Sequence, residues 1–131
     1  MNKYKNRKTM TTDGIVHDSS LEAERWCELK LLERAGKIRD LRRQVEYELI
    51  PAQYETYERY GKNGHRLKDG VKIVEKKCCY VADFVYVDTD TGKTVVEDTK
   101  SDATITKDFI IKRKLMLHVH GIKIRQYKRG G

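Results

Sequence analysis

The chain has 131 residues, 37% charged and 38% hydrophobic, with a net charge of +8, which suits one small globular domain over 1–131 and leaves little room for a second core. No apolar run approaches the roughly 18 residues of a membrane span, and the start MNKYKNRKTMTT lacks the apolar centre of a signal peptide. The basic excess favours an anionic partner, nucleic acid first. Cys27, Cys78 and Cys79 offer neither a disulfide framework nor zinc-ligand spacing, and read as small apolar residues of a reducing, cytoplasmic compartment.

In chain order, a basic arm occupies about 1–12, and KTMTTDGIVHD carries the Asp13-Gly14 pair that favours a hairpin turn between two short strands. SSLEAERWCELKLLERAG then predicts a helix. Ser19 stands three before Glu22, a capping-box spacing, and Gly36 is a natural stop. Leu21, Trp26, Leu29 and Leu32, with Ala23 and Ala35, supply its inward stripe. Gln44 to Ile50 alternates with period two and ends at Pro51, as a strand should. Residues 52–70 are polar and Tyr-rich without clear period, which predicts a long surface loop. Val71 to Val87 predicts a long strand with a break near Lys76 and Lys77, and Thr94 to Lys100 a second. Thr104 or Thr106 would cap a helix from about Ile105 to His120, closed by Gly121, and IKIRQY gives a last strand. The order is that of an α/β domain, a mixed β-sheet flanked by helices, with an N-terminal β-hairpin.

The hairpin VADFVYVDTDTGKTVVEDTK carries acids where strands usually carry Val or Ile. A four-residue turn, Thr89 to Gly92, sets Val87 against Thr94 and Asp83 against Asp98, on one face and about 4.5–5.5 Å apart at Cβ. Lys100 falls on the same face. Val81, Val85 and Val87 would flank Asp83, with Ala82, Phe84 and Tyr86 on the other face, so the strand is covered on both sides. Two ionised carboxylates facing each other there repel and lose hydration. A divalent cation such as Mg²⁺ would compensate. The plainer alternative is an ion pair of one acid with Lys100 while the other reaches solvent. A turn of three or five residues would instead put Glu97 in the place of Asp98.

These residues resemble the PD-(D/E)XK nuclease superfamily, whose restriction-endonuclease-like core runs αβββαβ. Its first acid falls in Ala82-Asp83, where many members have Pro before the acid, and its second half in Asp98-Thr99-Lys100. More narrowly, DSSLEAERWCELKLLERAGKI, YVADFVY, VVEDTK and KRKL…HGI look like a family of small phage and prophage proteins of unassigned function, over roughly Lys8 to Tyr127. Ser101 departs from the Gly that commonly follows the Lys. The resemblance implies metal-dependent cleavage of DNA phosphodiesters in a bacterial host, with Asp83 and Asp98 binding Mg²⁺ or Mn²⁺. The Thr99 carbonyl would add a ligand, and Lys100 would act near the attacking water. Glu22 matches a further acid on the first helix, with Glu24 as substitute, although the capping box is an alternative use for Glu22. Gln44 matches a Gln of the phage family that would reach the site.

Lys107, Lys112 and Lys114 share one side of the second predicted helix and would hold DNA phosphates, unless they form an ordinary solvated face. Ile105, Phe109, Met116 and Val119 would serve the core. Lys3, Lys5, Arg7 and Lys8, with Arg125, Lys128 and Arg129, would add nonspecific contacts. Tyr54, Tyr57 and Tyr60 would pack over the sheet or stack on bases. His65, His118 and His120 have no metal spacing and read as surface or structural residues. The expectation is thus an Mg²⁺-dependent endodeoxyribonuclease, structure-selective in the manner of a Holliday-junction resolvase, with a homodimer as the way to reach two strands. The alternatives are a noncatalytic DNA-binding or accessory protein on the nuclease fold, and a phage regulator that binds a protein partner through the Tyr-rich segment.

Overall fold

In the computed structural model, residues 8–100 and 105–128 are described. A small flap, β1 (Thr9–Met10) with β2 (Val16–His17), precedes helix α1 (Ser20–Arg34). Then follow β3 (Ile38–Ile50), β4 (Gln53–Tyr60), β5 (Arg66–Glu75), β6 (Cys78–Asp88), β7 (Thr94–Thr99), α2 (Lys107–His120) and β8 (Arg125–Tyr127). The central sheet has the order β3-β6-β7-β8. It is mixed, because β8 runs parallel to β7 while the other pairs are antiparallel.

Both helices begin and end where their sequence signals lie. The Ser19 side chain accepts from the Glu22 amide, and Thr106 accepts from the Phe109 amide. Gly36 and Gly121 take φ of 76° and 67°, a region cheap only for glycine, just past the last helical turns. Adjacent strand residues face opposite ways, so Phe84 packs with Trp26, Leu29, Ile38 and Tyr86 under α1, while Val85 packs with Leu49, Val96, Phe109 and Met116 under α2.

Several expectations are corrected. Strand β3 starts at Ile38 rather than Gln44. Its period-two pattern is hidden because Asp40 and Gln44 both take positive φ (56° and 54°), with a register shift between Arg39 and Arg42. On α2, Val119 is exposed and outside the core, and Ile105 lies before the first turn although it packs on the α2 cluster. Cys27 on α1 and Ala35, just past its last residue, are exposed. The last strand covers only Arg125–Tyr127, because Ile122 and Ile124 turn into the core from the connection before it. Ser101, Thr104, Arg129 and residues 1–7 lie outside the described residues.

The largest correction concerns 52–75. The expected loop is a second hairpin, β4 with β5, which takes Val71 to Glu75 away from the expected long strand and leaves β6 to start at Cys78. Its turn is closed by the Gly61 amide on the His65 carbonyl at 2.8 Å, with Gly64 at φ 77°. Tyr57 lies across its partner Gly70, where a Cβ would come within 2.3 Å of the ring. Aromatic cover of a strand glycine is a cross-strand packing device, invisible to a one-strand period count. Tyr54, Tyr57, Tyr60, Val71, Ile73 and Val74 are all exposed. The hairpin's main contacts are internal, and among the described residues it makes no strand pair with the central sheet.

Because Ile50 and Cys78 are cross-strand partners, residues 52–76 can be replaced by a short turn without moving either end. We expect such a variant to melt within about 5 °C of the full chain, since little core is lost. Thermal unfolding by circular dichroism checks this, and a fall several times larger would mean that the arm holds the core.

Candidate active site

The β6–β7 turn has the expected length. Val87 pairs with Thr94 and the ladder runs to Phe84 against Glu97, so Asp83 and Asp98 occupy the next opposed positions. Regular pairing ends there. The Asp83 carboxylate takes the Thr99 amide and the Thr99 hydroxyl, each at 2.8 Å on Oδ2. On the other side, the ladder to β3 runs Arg43–Phe84 and Val45–Ala82 around Gln44, whose positive φ bends the strand. The bend changes which face each side chain meets. Tyr80 and Ala82 pack on the α2 side with Val85, whereas Phe84 and Tyr86 pack on the α1 side and Val81 is exposed. The even alternation expected for this strand therefore breaks at Asp83.

Asp98 is 2% exposed. Its Oδ1 accepts from the Tyr80 hydroxyl at 2.7 Å, and Lys100 Nζ lies 3.3 Å from Oδ2. That approach lacks hydrogen-bond geometry, so Oδ2 is buried with no hydrogen-bond partner. Lys100 is also held 5.0 Å over the Phe109 ring, within cation–π range.

Glu22 comes from the first turn of α1 and is 4% exposed. Only half of the capping box forms as read, with the Ser19 hydroxyl on the Glu22 amide at 3.1 Å. The Glu22 carboxylate turns to β3, where Gln44 Nε2 donates to Oε1 at 2.9 Å. Arg43 Nη2 stands 3.9 Å and His17 Nδ1 3.7 Å from the same oxygen. Glu24 is exposed. Gln44 thus does reach the acidic group, as the bend at its own backbone allows.

Three carboxylates, Glu22, Asp83 and Asp98, lie near enough to act on one another at an electrostatic cost. Burial pushes Glu22 up to about 7, with Asp83 and Asp18 adding repulsion. Asp98 is raised to about 6 by burial and then by Asp83. Asp83 is raised mainly by burial, against the pull of its Thr99 hydrogen bonds and Lys100. Burial and Arg43 lower His17. Asp83 is the middle group, since its charge acts on both other acids. Among the described residues, no three His, Cys, Asp or Glu side chains already converge as a metal-binding group. The donor chemistry fits a hard divalent cation nonetheless, as Asp98 Oδ2 lacks a hydrogen-bond partner and Glu22, Asp83 and Asp98 are all oxygen donors that act on one another electrostatically.

Sequence reasoning missed Arg25, Arg43 and His17. Arg25 grips Glu97 with Nε on Oε1 at 2.5 Å and Nη2 on Oε2 at 3.0 Å, while Tyr86 donates to Oε2 at 2.6 Å. Arg25 follows Glu22 by three residues, hence on the same helix face, and the grip seats that face against β7. The nearest legible signal was the Glu97-Asp98 doublet, which sends one acid to each face. Of the basic residues on α2, Lys107 and Lys114 are exposed and Lys112 is half-buried. Arg113 donates to Gln126 at 3.0 Å and is structural. His120 bonds the Glu48 carbonyl at 2.7 Å, and His65 and His118 are exposed. Tyr54, Tyr57 and Tyr60 sit on the outer hairpin rather than over the central sheet. Among the described residues, no helix is long and apolar enough to cross a membrane.

A family described as "Protein of unknown function (DUF1064)" matches residues 1–128. No curated protein and no solved structure matches the chain.

Proposed function

The chain belongs to that family of unknown function, and from the chemistry of its acidic cleft we propose that it is a metal-dependent endonuclease that hydrolyses DNA phosphodiester bonds. The observation that carries this reading is the clustering of buried Glu22 and Asp98 around half-buried Asp83, whose charge repels both, with Lys100 beside Asp98 and Asp98 Oδ2 left without a hydrogen-bond partner. A fold that spends stability on such repulsion usually does so at a functional site. The resemblance to the PD-(D/E)XK superfamily points the same way.

Mg²⁺, or Mn²⁺ in its place, held by Asp83, Asp98 and Glu22, would supply charge to the scissile phosphate and a more acidic water. Tyr80 and Thr99 hold Asp98 and Asp83 in place by hydrogen bonds, so the acids stay aimed. The Thr99 carbonyl belongs to the same segment and is the proposed additional ligand. Lys100, fixed between Asp98 and the Phe109 ring, is placed to orient the attacking water or donate to a phosphate oxygen. Arg43, with Nε buried and unpartnered, is a further phosphate donor. Lys107, Lys112 and Lys114 would carry the flanking DNA backbone. The substrate is a branched or otherwise structured DNA, of the kind a phage junction resolvase cuts, and a homodimer would place one cleft on each strand.

A second reading, a noncatalytic DNA-binding protein on the same scaffold, is favoured by one observation. Asp83 and Asp98 already have internal partners in Thr99, Tyr80 and Lys100. The deciding experiment is cleavage of labelled duplex, single-stranded, flap and four-way-junction DNA with Mg²⁺, Mn²⁺ or EDTA, using Asp83→Asn as control. Metal-dependent cutting that the control loses is the expected result. Intact DNA binding without cutting by folded protein under every condition would establish the second reading.

A further inference from the structure

His17, on the flap strand β2, is 0% exposed, and its Nδ1 has no hydrogen-bond partner. A buried imidazole nitrogen without a partner calls for an explanation. Its surroundings fix which nitrogen carries the proton. Trp26 Nε1 donates to Asp13 Oδ2 at 2.6 Å, and the Ile15 amide donates to Asp13 Oδ1 at 3.1 Å. Asp13, so held, receives the Thr11 hydroxyl proton. The Thr11 oxygen then has only lone pairs to offer His17 Nε2, 3.4 Å away. The proton of a neutral imidazole therefore sits on Nε2, and Nδ1 presents a bare lone pair.

Glu22 Oε1 stands 3.7 Å from that nitrogen. Two acceptors this close repel unless a proton or a cation sits between them, and once Glu22 is ionised the cation is the partner left. Donors about 2.1 Å from one octahedral cation lie about 3 Å apart when adjacent and about 4.2 Å when opposite. The observed 3.7 Å matches neither span, and a shared cation would draw the two groups together by about 0.7 Å into adjacent positions. Arg43, at 3.9 Å from the same oxygen, is too far for a hydrogen bond, and Gln44 occupies one Oε1 lone pair and leaves another.

We propose that His17 Nδ1 is a cation ligand beside Glu22, which makes the Glu22 end of the cleft a mixed nitrogen and carboxylate site that prefers Mn²⁺ to Mg²⁺. The proposal rests on the metal-dependent reading above and deepens it. Imidazole suits the later divalent ions, whereas Mg²⁺ keeps to oxygen and water. The Asp13–Thr11–His17 chain is the outer support that a ligating imidazole ordinarily has, fixing its tautomer and its aim. The flap thereby becomes part of the site, reaching it through one side chain.

The test is Mn²⁺ and Mg²⁺ binding to the full chain without DNA, by titration calorimetry and by electron spin-echo spectroscopy of bound Mn²⁺. Wild type should show modulation from a directly bound nitrogen. His17→Phe, which keeps a ring against Trp26, should lose that modulation and bind Mn²⁺ at least about tenfold more weakly. His17→Asn, which returns an oxygen donor and keeps the variant set informative if the Phe variant fails to fold, should lose the nitrogen signal and the Mn²⁺ preference while retaining Mg²⁺. Unchanged Mn²⁺ affinity and nitrogen signal in both variants, with binding lost in Asp83→Asn, would overturn the role of His17 and leave the metal centre standing. No Mn²⁺ uptake by wild type would overturn both.

Discussion

Arg25→Met should cost about 3–5 kcal/mol of stability and lower the melting temperature by on the order of 10–20 °C. Glu97 is 0% exposed, and Arg25 supplies two of the three hydrogen bonds recorded at its carboxylate. Without the guanidinium, a buried anion keeps only the Tyr86 hydroxyl. The loss also removes the stacking of Arg25 over Tyr127, 4.3 Å from the ring centroid, and so loosens β8. Replacing both partners is a milder change than replacing one. Arg25→Met with Glu97→Gln should therefore regain more than half of the loss, because the amide oxygen still accepts from Tyr86. Denaturant unfolding of the two single variants and the double variant measures this. A loss below about 1 kcal/mol in the single variant would show that the pair does not anchor α1 to β7, and Glu22 would need another explanation for its aim.

The helices were legible because their signals are local. Ser19, Thr106, Gly36 and Gly121 each act within a few residues of themselves, and each sits where its chemistry requires. The β6–β7 register was equally readable, since a four-residue turn fixes every later pair. What failed was nonlocal or depended on a break in period. The β4–β5 hairpin needs Tyr57 to meet Gly70 thirteen positions on, and β3 hides its start behind two residues of positive φ.

The candidate site divides in the same way. Asp83, Asp98 and Lys100 stand on one hairpin and could be placed by counting. Glu22 and Gln44 came from the resemblance, and the structure brings them together at 2.9 Å. Arg25, Arg43 and His17 carry no motif, because their roles arise only when α1, β2 and β3 converge on β6 and β7. The site's acids keep their partners through side chains of the sheet itself, which is why the bend at Asp83 matters. A regular strand would have buried that carboxylate among apolar neighbours instead of opening it toward Thr99.

Asp98→Asn should act with opposite signs on stability and on cleavage. Its folded carboxyl is raised to about 6, above the ordinary value near 4. Between those values the unfolded chain gives up the proton first, so ionisation favours unfolding. The penalty is absent below about pH 4, grows as pH rises through 6, and stays in force above. The amide cannot ionise and still accepts from Tyr80. Metal-free Asp98→Asn should thus match wild type near pH 4 and exceed it by roughly 1–2 kcal/mol at pH 7.5. Added Mn²⁺ should reverse the ranking, because a cation that binds the folded state stabilises wild type and finds fewer ligands in the variant. Cleavage should fall by about a thousandfold or more, as charge stabilisation at the reacting phosphate is lost. Melting curves at the two pH values, with and without Mn²⁺, together with single-turnover cleavage, read all three effects. A variant less stable than wild type at pH 7.5 without metal would mean that Lys100 and Tyr80 fully satisfy Asp98. Asp98 and Lys100 would then be an ordinary buried ion pair with no need of a cation.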